Sequence, residues 1–286
     1  MFPKFDIIEK VETVQSELLM NKEAIFYTVP IQIKVATKKL GEITVVSNGL
    51  NPGNIRHILL SDRKETSTHK KMVLGRDIQT YFLEWSGTWV NYDPNLRHRV
   101  KISDTKSKEG MTPQKRVDFA LRKPEIYKSN KILIRKTADY IVATYDTEGF
   151  YYDSLAYGVQ LNKETNESIL YIVGLLNSSL LGYVHNSYSM NKGKIFAKVL
   201  AINLKKLPIR TIDFPNPYEK AMHDKLVAMV EKMLELQKKY HTIKLESDKK
   251  MYKTQIDILD NQIDSLVYKL YGLTEEEIKI IEKSIA

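Results

Sequence analysis

Six histidines, His57, His69, His98, His185, His223 and His241, are the side chains of this 286-residue chain best suited to ligate a metal or move a proton near neutral pH. None stands in an HxxxH or HExxH spacing, so metal-dependent hydrolysis finds no ligand set in the sequence. With no cysteine there is no disulfide, thiolate zinc site or thiol nucleophile. A nuclease that holds magnesium between an Asp and a Glu-x-Lys pair needs them on adjacent strands. The Glu-x-Lys strings here, such as Glu277-Ile278-Lys279, fall in predicted helix. An adenine methyltransferase needs a glycine-rich cofactor turn and an Asn/Asp-Pro-Pro-Tyr/Phe loop. The nearest string, Asn216-Pro217-Tyr218-Glu219, has one proline and reads as a helix cap followed by proline at the first helical position. SNGLNPGN at 47–54 is too poor in glycine for a phosphate loop, and neither GxxxxGK[ST] nor G-x-S-x-G occurs.

What remains is charge. The net charge is +9. Residues 51–140 carry 19 basic and 10 acidic side chains, whereas 1–50 carry 6 and 6, 141–215 carry 7 and 6, and 216–286 carry 12 and 13. A local excess of this kind marks a face that meets phosphates rather than a uniformly soluble surface. Arg56, Arg63, Lys64, Lys70, Lys71 and Arg76 precede an aromatic block of Tyr81, Trp85, Trp89 and Tyr92. Arg97, Arg99, Lys101, Lys106, Lys108, Lys115 and Arg116 follow in a stretch without apolar periodicity, which reads as a loop. Basic side chains on a loop suit phosphate neutralisation and, for arginine, bidentate pairing with guanine. The aromatics sit in a strand-like pattern and are expected to pack the sheet. In SYSMNKGKIF at 187–196, Asn191, Lys192 and Lys194 surround a Gly193 turn that offers polar reach without bulk. Arg135 and Lys136 end a strand and could face either way.

The elements that must position these residues are readable from periodicity. Ile7, Ile8, Val11, Val14, Leu18 and Leu19 predict a short amphipathic helix over 7–20. From 42 to 215, runs such as EITVVS, YFLEWSGTWVNY, KILIRK and YIVATY predict strands. One buried helix is expected at Ser168–His185. From 216, stripes through Met222, Leu226, Met229, Met233, Leu236, Tyr240 and Ile243, and through Tyr252, Ile256, Leu259, Ile263, Leu266 and Leu270, predict an antiparallel helical hairpin turning near Glu246–Lys249. Gly272 is its stop, and Thr274 with Glu277 forms a capping box for a last helix. No apolar run approaches the roughly 20 residues of a membrane span, and a cytoplasmic location is expected.

Several ordered pieces resemble the C-terminal specificity domain of TaqI-like adenine methyltransferases, a family that includes type IIG restriction enzymes. They are VSNGLNPGN at 46–54, LGRDIQTY at 74–81, KPEIYKSNKILIRKT at 123–137, YIVGLLNSSLLGYVH at 171–185, NLKKLPI at 203–209 and IDSLVYKLYGLTEEEIKII at 263–281. Together they span about residues 42–282. The resemblance implies a mixed α/β, or α+β, recognition domain that clamps duplex DNA against a methyltransferase domain. A whole enzyme of that family carries several hundred further residues before this point. The chain is therefore expected to be a fragment or split subunit without its own catalysis, and S-adenosylmethionine would belong to the methyltransferase part.

The expected organisation is a connector helix and linker at 1–41, a strand-rich target-recognition domain with a buried helix at 42–215, and a helical hairpin with a terminal helix at 216–286. The expected partners are duplex DNA and a methyltransferase domain or subunit, with a nuclease unit as a further possibility, and no membrane. Phosphate contacts fall to Arg56, Lys64, Lys70, Lys71, Arg97, Arg99, Lys101, Lys106 and Lys108; base reading falls to Lys115, Arg116, Asn191, Lys192 and Lys194. Gly75, Arg76, Asp77, Asn177 and Pro208 form a structural signature, with Arg76 and Asp77 an internal strut. Two alternatives stand beside this reading. One is a divergent nuclease or methyltransferase with unrecognised motifs, and the other is a helical assembly subunit.

Overall fold

The computed structural model describes residues 31, 33–106, 115–128, 130–188 and 198–285. The helix expected at 7–20 lies outside them. The fold is mixed α and β, as the sequence indicates. Its centre is a four-stranded antiparallel sheet in the order Thr44–Asn48, Ala156–Leu161, Lys131–Arg135, Ala143–Asp146.

The Lys131–Arg135 strand is buried along nearly all its length because both faces of this sheet are covered. Ile132 and Ile134 enter one apolar cluster with the helices, whereas Leu133 enters a second with Leu50, Ile55, Met72 and Tyr152. A continuous apolar run, not alternation, is what a doubly covered strand requires. Lys131 opens the strand with its ammonium fully buried, bonded to the Asp146 carboxylate and donating to the Tyr127 and Lys128 carbonyls at 3.0 Å each. Burial pushes its pKa down, against the opposing pull of Asp146.

The second cluster lies under an outer sheet in the order Tyr151–Tyr152, His69–Val73, Trp89–Asn91, Leu60–Ser61, whose first pair is parallel. Several strands of the molecule are shorter than the sequence runs imply. EITVVS begins with the one-turn helix Leu40–Ile43, because Glu42 accepts the Lys39 N–H at 2.7 Å, and the strand starts at Thr44. YFLEWSGTWVNY divides into Phe82–Leu83 and Trp89–Asn91 around Gly87, whose φ of 85° turns the chain.

The expected helix over Ser168–His185 is two helices, α1 (Ile169–Asn177) and α2 (Ser179–Ser187). Ser178 between them is extended (φ −69°, ψ 150°), and its hydroxyl accepts the Leu181 N–H at 3.3 Å. The break is held from outside. Asn177 accepts the Ala143 N–H and donates to the Ala143 C=O, each at 2.9 Å, so its amide continues the sheet ladder beyond the last strand. Asp264 accepts the Ser179 N–H at 2.8 Å and caps α2.

α3 (Pro217–Thr242) and α4 (Glu246–Tyr271) form the hairpin, followed by α5 (Glu275–Ile285). The turn is Ile243–Leu245, three residues earlier than the polar LESDKK stretch suggests. Glu246 and Asp248 instead occupy the first turn of α4, where carboxylates favour the positive end of the helix. Asn216 accepts the N–H groups of Tyr218 and Glu219, Gly272 is left-handed (φ 64°), and Thr274 and Glu277 bond reciprocally. Leu226, Val230 and Met233 of α3 pack with Ile256, Leu259 and Ile263 of α4 in the same cluster as α1. The hairpin therefore closes on the body of its own chain.

Candidate nucleic-acid interface

The outer sheet is fastened by short polar side chains that grip the backbone. Asp77 accepts the Leu74 N–H at 2.8 Å and the Ser86 hydroxyl at 3.0 Å. Asp153 accepts the N–H groups of Gly75 (3.2 Å) and Leu155 (3.0 Å). A side chain at Gly75 would sit 2.8 Å from Leu155, so the turn passes here only as glycine. Asp146 accepts three N–H groups, from Glu148, Gly149 and Phe150. Burial pushes the Asp153 carboxyl up, opposed by the two N–H donors and by Arg56.

Asn54 holds the basic loop. Its backbone C=O accepts the Lys106 N–H at 2.9 Å, and its amide donates to the Arg116 C=O at 2.8 Å and accepts the Asp118 N–H at 2.9 Å. Both ends of the loop thus meet at one residue, and 107–114 lie outside the described residues. Asn54 stands after Gly53, whose φ of 50° and Cα approach to the Asp118 carbonyl exclude any side chain.

The candidate phosphate contacts divide into two groups. Arg56, Lys64, Lys70, Lys101 and Lys106 are exposed, with no side-chain hydrogen bond or ion pair among the described residues. Arg97, Arg99 and Lys71 are also exposed, but each has a partner within the chain. Arg97 donates to the Phe119 C=O at 2.6 Å and lies 4.6 Å over the Phe119 ring. Arg99 pairs with Asp93, and Lys71 pairs with Glu148 at 3.5 Å while capping the Trp85 ring. Lys108 and the base-reading candidates Asn191, Lys192 and Lys194 lie outside the described residues. Lys115 and Arg116 are exposed. Trp85 packs edge-on to Trp89, and its indole donates to the Thr88 C=O, which keeps it in the sheet.

Of the signature residues, Gly75 and Asp77 are buried, Asn177 bridges to the sheet as described, and the Pro208 C=O accepts the Tyr271 hydroxyl at 2.7 Å. Arg76 departs from the internal strut expected of it. Its side chain is 74% exposed, and its nearest carboxylate oxygen, on Asp77, is 3.8 Å away. It separates two clefts. The first, about 660 Å³, is lined by Asn54, Arg56, His57 and Lys106. The second, about 460 Å³, lies between the sheet and the hairpin.

The histidines have structural surroundings where they are buried: His69 accepts the Thr66 N–H at 3.1 Å and His223 accepts the Ser168 N–H at 3.0 Å. Burial pushes His185 down. No group of three metal-ligating side chains comes together among the described residues. No helix among them is long and apolar enough to cross a membrane.

Residues 70–209 match the TaqI-like C-terminal specificity domain. The match takes in LGRDIQTY, the Asn177-Ser178 helix break and the LPI strand; VSNGLNPGN and the α4–α5 segment fall outside it. Among solved structures, the chain is similar to Type IIL restriction-modification enzyme MmeI in complex with DNA. The similarity spans 87% of this chain and 36% of that one, at 15% identity and a TM-score of 0.48. It is also similar to the type IIG restriction endonuclease BpuSI over 82% of this chain and 32% of that one, at 10% identity and a TM-score of 0.44. The chain thus spans about a third of the length of either enzyme. No curated protein matches the sequence.

Proposed function

We propose that this chain recognises a target sequence in duplex DNA for a bacterial restriction-modification adenine methyltransferase of type II or IIG. The observation that carries the reading is the specificity-domain match at 70–209, which presents Lys70, Lys101 and Lys106 unpaired on its rim, with Arg56 and Lys64 exposed just ahead of the matched segment. These cations neutralise phosphates and fix the register of the duplex, and Lys115, Arg116, Asn191, Lys192 and Lys194 read base edges. Methyl transfer, and S-adenosylmethionine with it, belongs to a methyltransferase domain or subunit that this chain serves in the cytoplasm. Cleavage belongs to an associated nuclease.

Anisotropy titration of a labelled duplex tests the reading. Affinity should fall steeply with salt, with log K declining by about 0.9 per neutralised phosphate for each unit of log salt concentration. Calorimetry with S-adenosylmethionine should show no heat. Salt-independent binding, or saturable heat with the cofactor, would replace the reading with that of a divergent enzyme.

A further inference from the structure

We infer that the tip of the helical hairpin is a second DNA contact, and that Arg76, Arg135 and Lys253 form a seat for a backbone phosphate between the hairpin and the sheet. The inference rests on the proposed DNA-binding role and extends the track beyond the basic loop.

The cleft at this seat has no carboxylate in its lining, which includes Arg76, Gln79, Arg135, Gln237, His241 and Lys253. Its volume of about 460 Å³ is within the ~300–1,000 Å³ typical of ligand clefts. Arg135 is the decisive side chain. It is half-buried at the end of its strand, and its guanidinium has neither hydrogen bond nor ion pair among the described residues. A cation withdrawn from water without a partner is costly, and an incoming phosphate supplies two acceptors in the geometry a guanidinium prefers. Arg76 reaches the same cleft from its exposed turn. Lys253 reaches it from α4, with Asp257 pairing it one turn further on. The hairpin is held in place here, because His241 of α3 stacks on Phe82 with ring centroids 4.0 Å apart and planes within 2°.

Charge along the hairpin points the same way. Residues 216–286 are nearly neutral overall, but 238–253 hold Lys238, Lys239, Lys244, Lys249, Lys250 and Lys253 against only Glu246 and Asp248. The other eleven acidic side chains of 216–286 are spread over the rest of the hairpin and α5. The cationic tip adjoins the second cleft, the second cleft shares Arg76 with the first, and the first holds Arg56 and Lys106. A polyanion that follows the rim from the basic loop meets the hairpin tip next. A duplex fits this continuity and a compact anion does not.

The test measures salt-dependent anisotropy of a mixed-sequence duplex with the full chain. Arg135→Gln and the triple variant Lys249→Gln/Lys250→Gln/Lys253→Gln should each bind several-fold more weakly. Each should also lower the log–log salt slope, by about 1 for the arginine and by more for the triple variant. Arg135→Lys, which keeps the charge, should retain the parental slope. Thermal melts confirm that each variant is folded; Lys250 and Lys253 are exposed, and Lys249 is half-buried over the Tyr240 ring. Parental affinity and slope in both Arg135→Gln and the triple variant, with Arg56→Gln still shallower than the parent, would confine DNA to the first cleft and overturn the inference alone. A parent that does not bind duplex at all would overturn the proposed function and this seat together. In a second arm a mononucleotide replaces the duplex. Saturable binding that Arg135→Gln abolishes would assign the seat to a free nucleotide and overturn the duplex assignment; no saturation supports it.

Discussion

The central sheet is covered differently on its two faces, and the difference separates what holds the molecule together from what it can touch. On the helical face, Ile132 and Ile134 meet Tyr171, Val173, Leu226 and Ile263, and apolar area does the work. On the other face the outer sheet consists of strands of two to five residues, too short to hold by pairing alone. Carboxylates and amides fasten its turns instead. Asp77, Asp146 and Asp153 spend their oxygens on backbone N–H groups, as Asp93 and Asp104 do toward Asn95 and Lys101. Asp77, Asp146 and Asp153 are buried in doing so, whereas Arg56, Lys64, Lys70, Lys101 and Lys106 are exposed.

This comparison can be broken at its strongest clamp first. Asp146→Ala strands the buried Lys131 ammonium and three N–H groups, and should cost about 3–5 kcal/mol in urea unfolding. A loss below about 1 kcal/mol would mean that the outer face does not depend on such clamps. Next, the helical face has polar joints of its own, among them Asn177. Asn177→Leu leaves the Ala143 N–H without its acceptor and should cost about 1–3 kcal/mol, whereas Leu226→Met on the same face should stay under about 1.5 kcal/mol.

The third effect is smaller and depends on pH. Desolvation, with Asp264 and Asp257 nearby, pushes the carboxyl of Asp260, an exposed residue of α4, up to about 6. Its folded-state pKa lies above the unfolded value of about 3.9, so its ionised form opposes folding. That penalty is absent below the unfolded pKa and complete above about 6. Asp260→Asn should therefore melt above the parent near neutral pH, and the gap should close as pH falls toward about 4. A gap that widens on acidification would reverse the sign. The smallest effect is on stability at the rim. Arg56→Gln and Lys106→Gln should leave unfolding within about 0.5 kcal/mol of the parent while making the salt dependence of DNA binding shallower.

Legibility in the sequence followed the range of the interactions. The hairpin, the Asn216 cap before Pro217, the Gly272 stop and the Thr274–Glu277 box were readable because each is decided within four residues. The break at Ser178 was not, since SILYIVGLLNSSLLGYVH satisfies helical periodicity throughout. What divides it is Ala143 and Asp264, 34 and 85 residues away. The same distance problem hid the fates of Arg97 and Arg76, which look alike as cations. Phe119 occupies one, and the Leu74–Asp77 turn projects the other outward. Lys253 and its neighbours were missed for another reason. The charges of 216–286 nearly cancel as a block, which hides the run of lysines at 238–253.

Asn54 gives the basic loop a property that neither its charge nor its reach describes. One residue receives the chain at Lys106 and releases it at Arg116 and Asp118, so the two ends of the loop are tied at a single point. The cost of closing it grows slowly with length, by about 0.6 kcal/mol per doubling. A change of length between these tied ends is therefore inexpensive in closure entropy, so the tie at Asn54 and the length of the loop are separate properties of the chain.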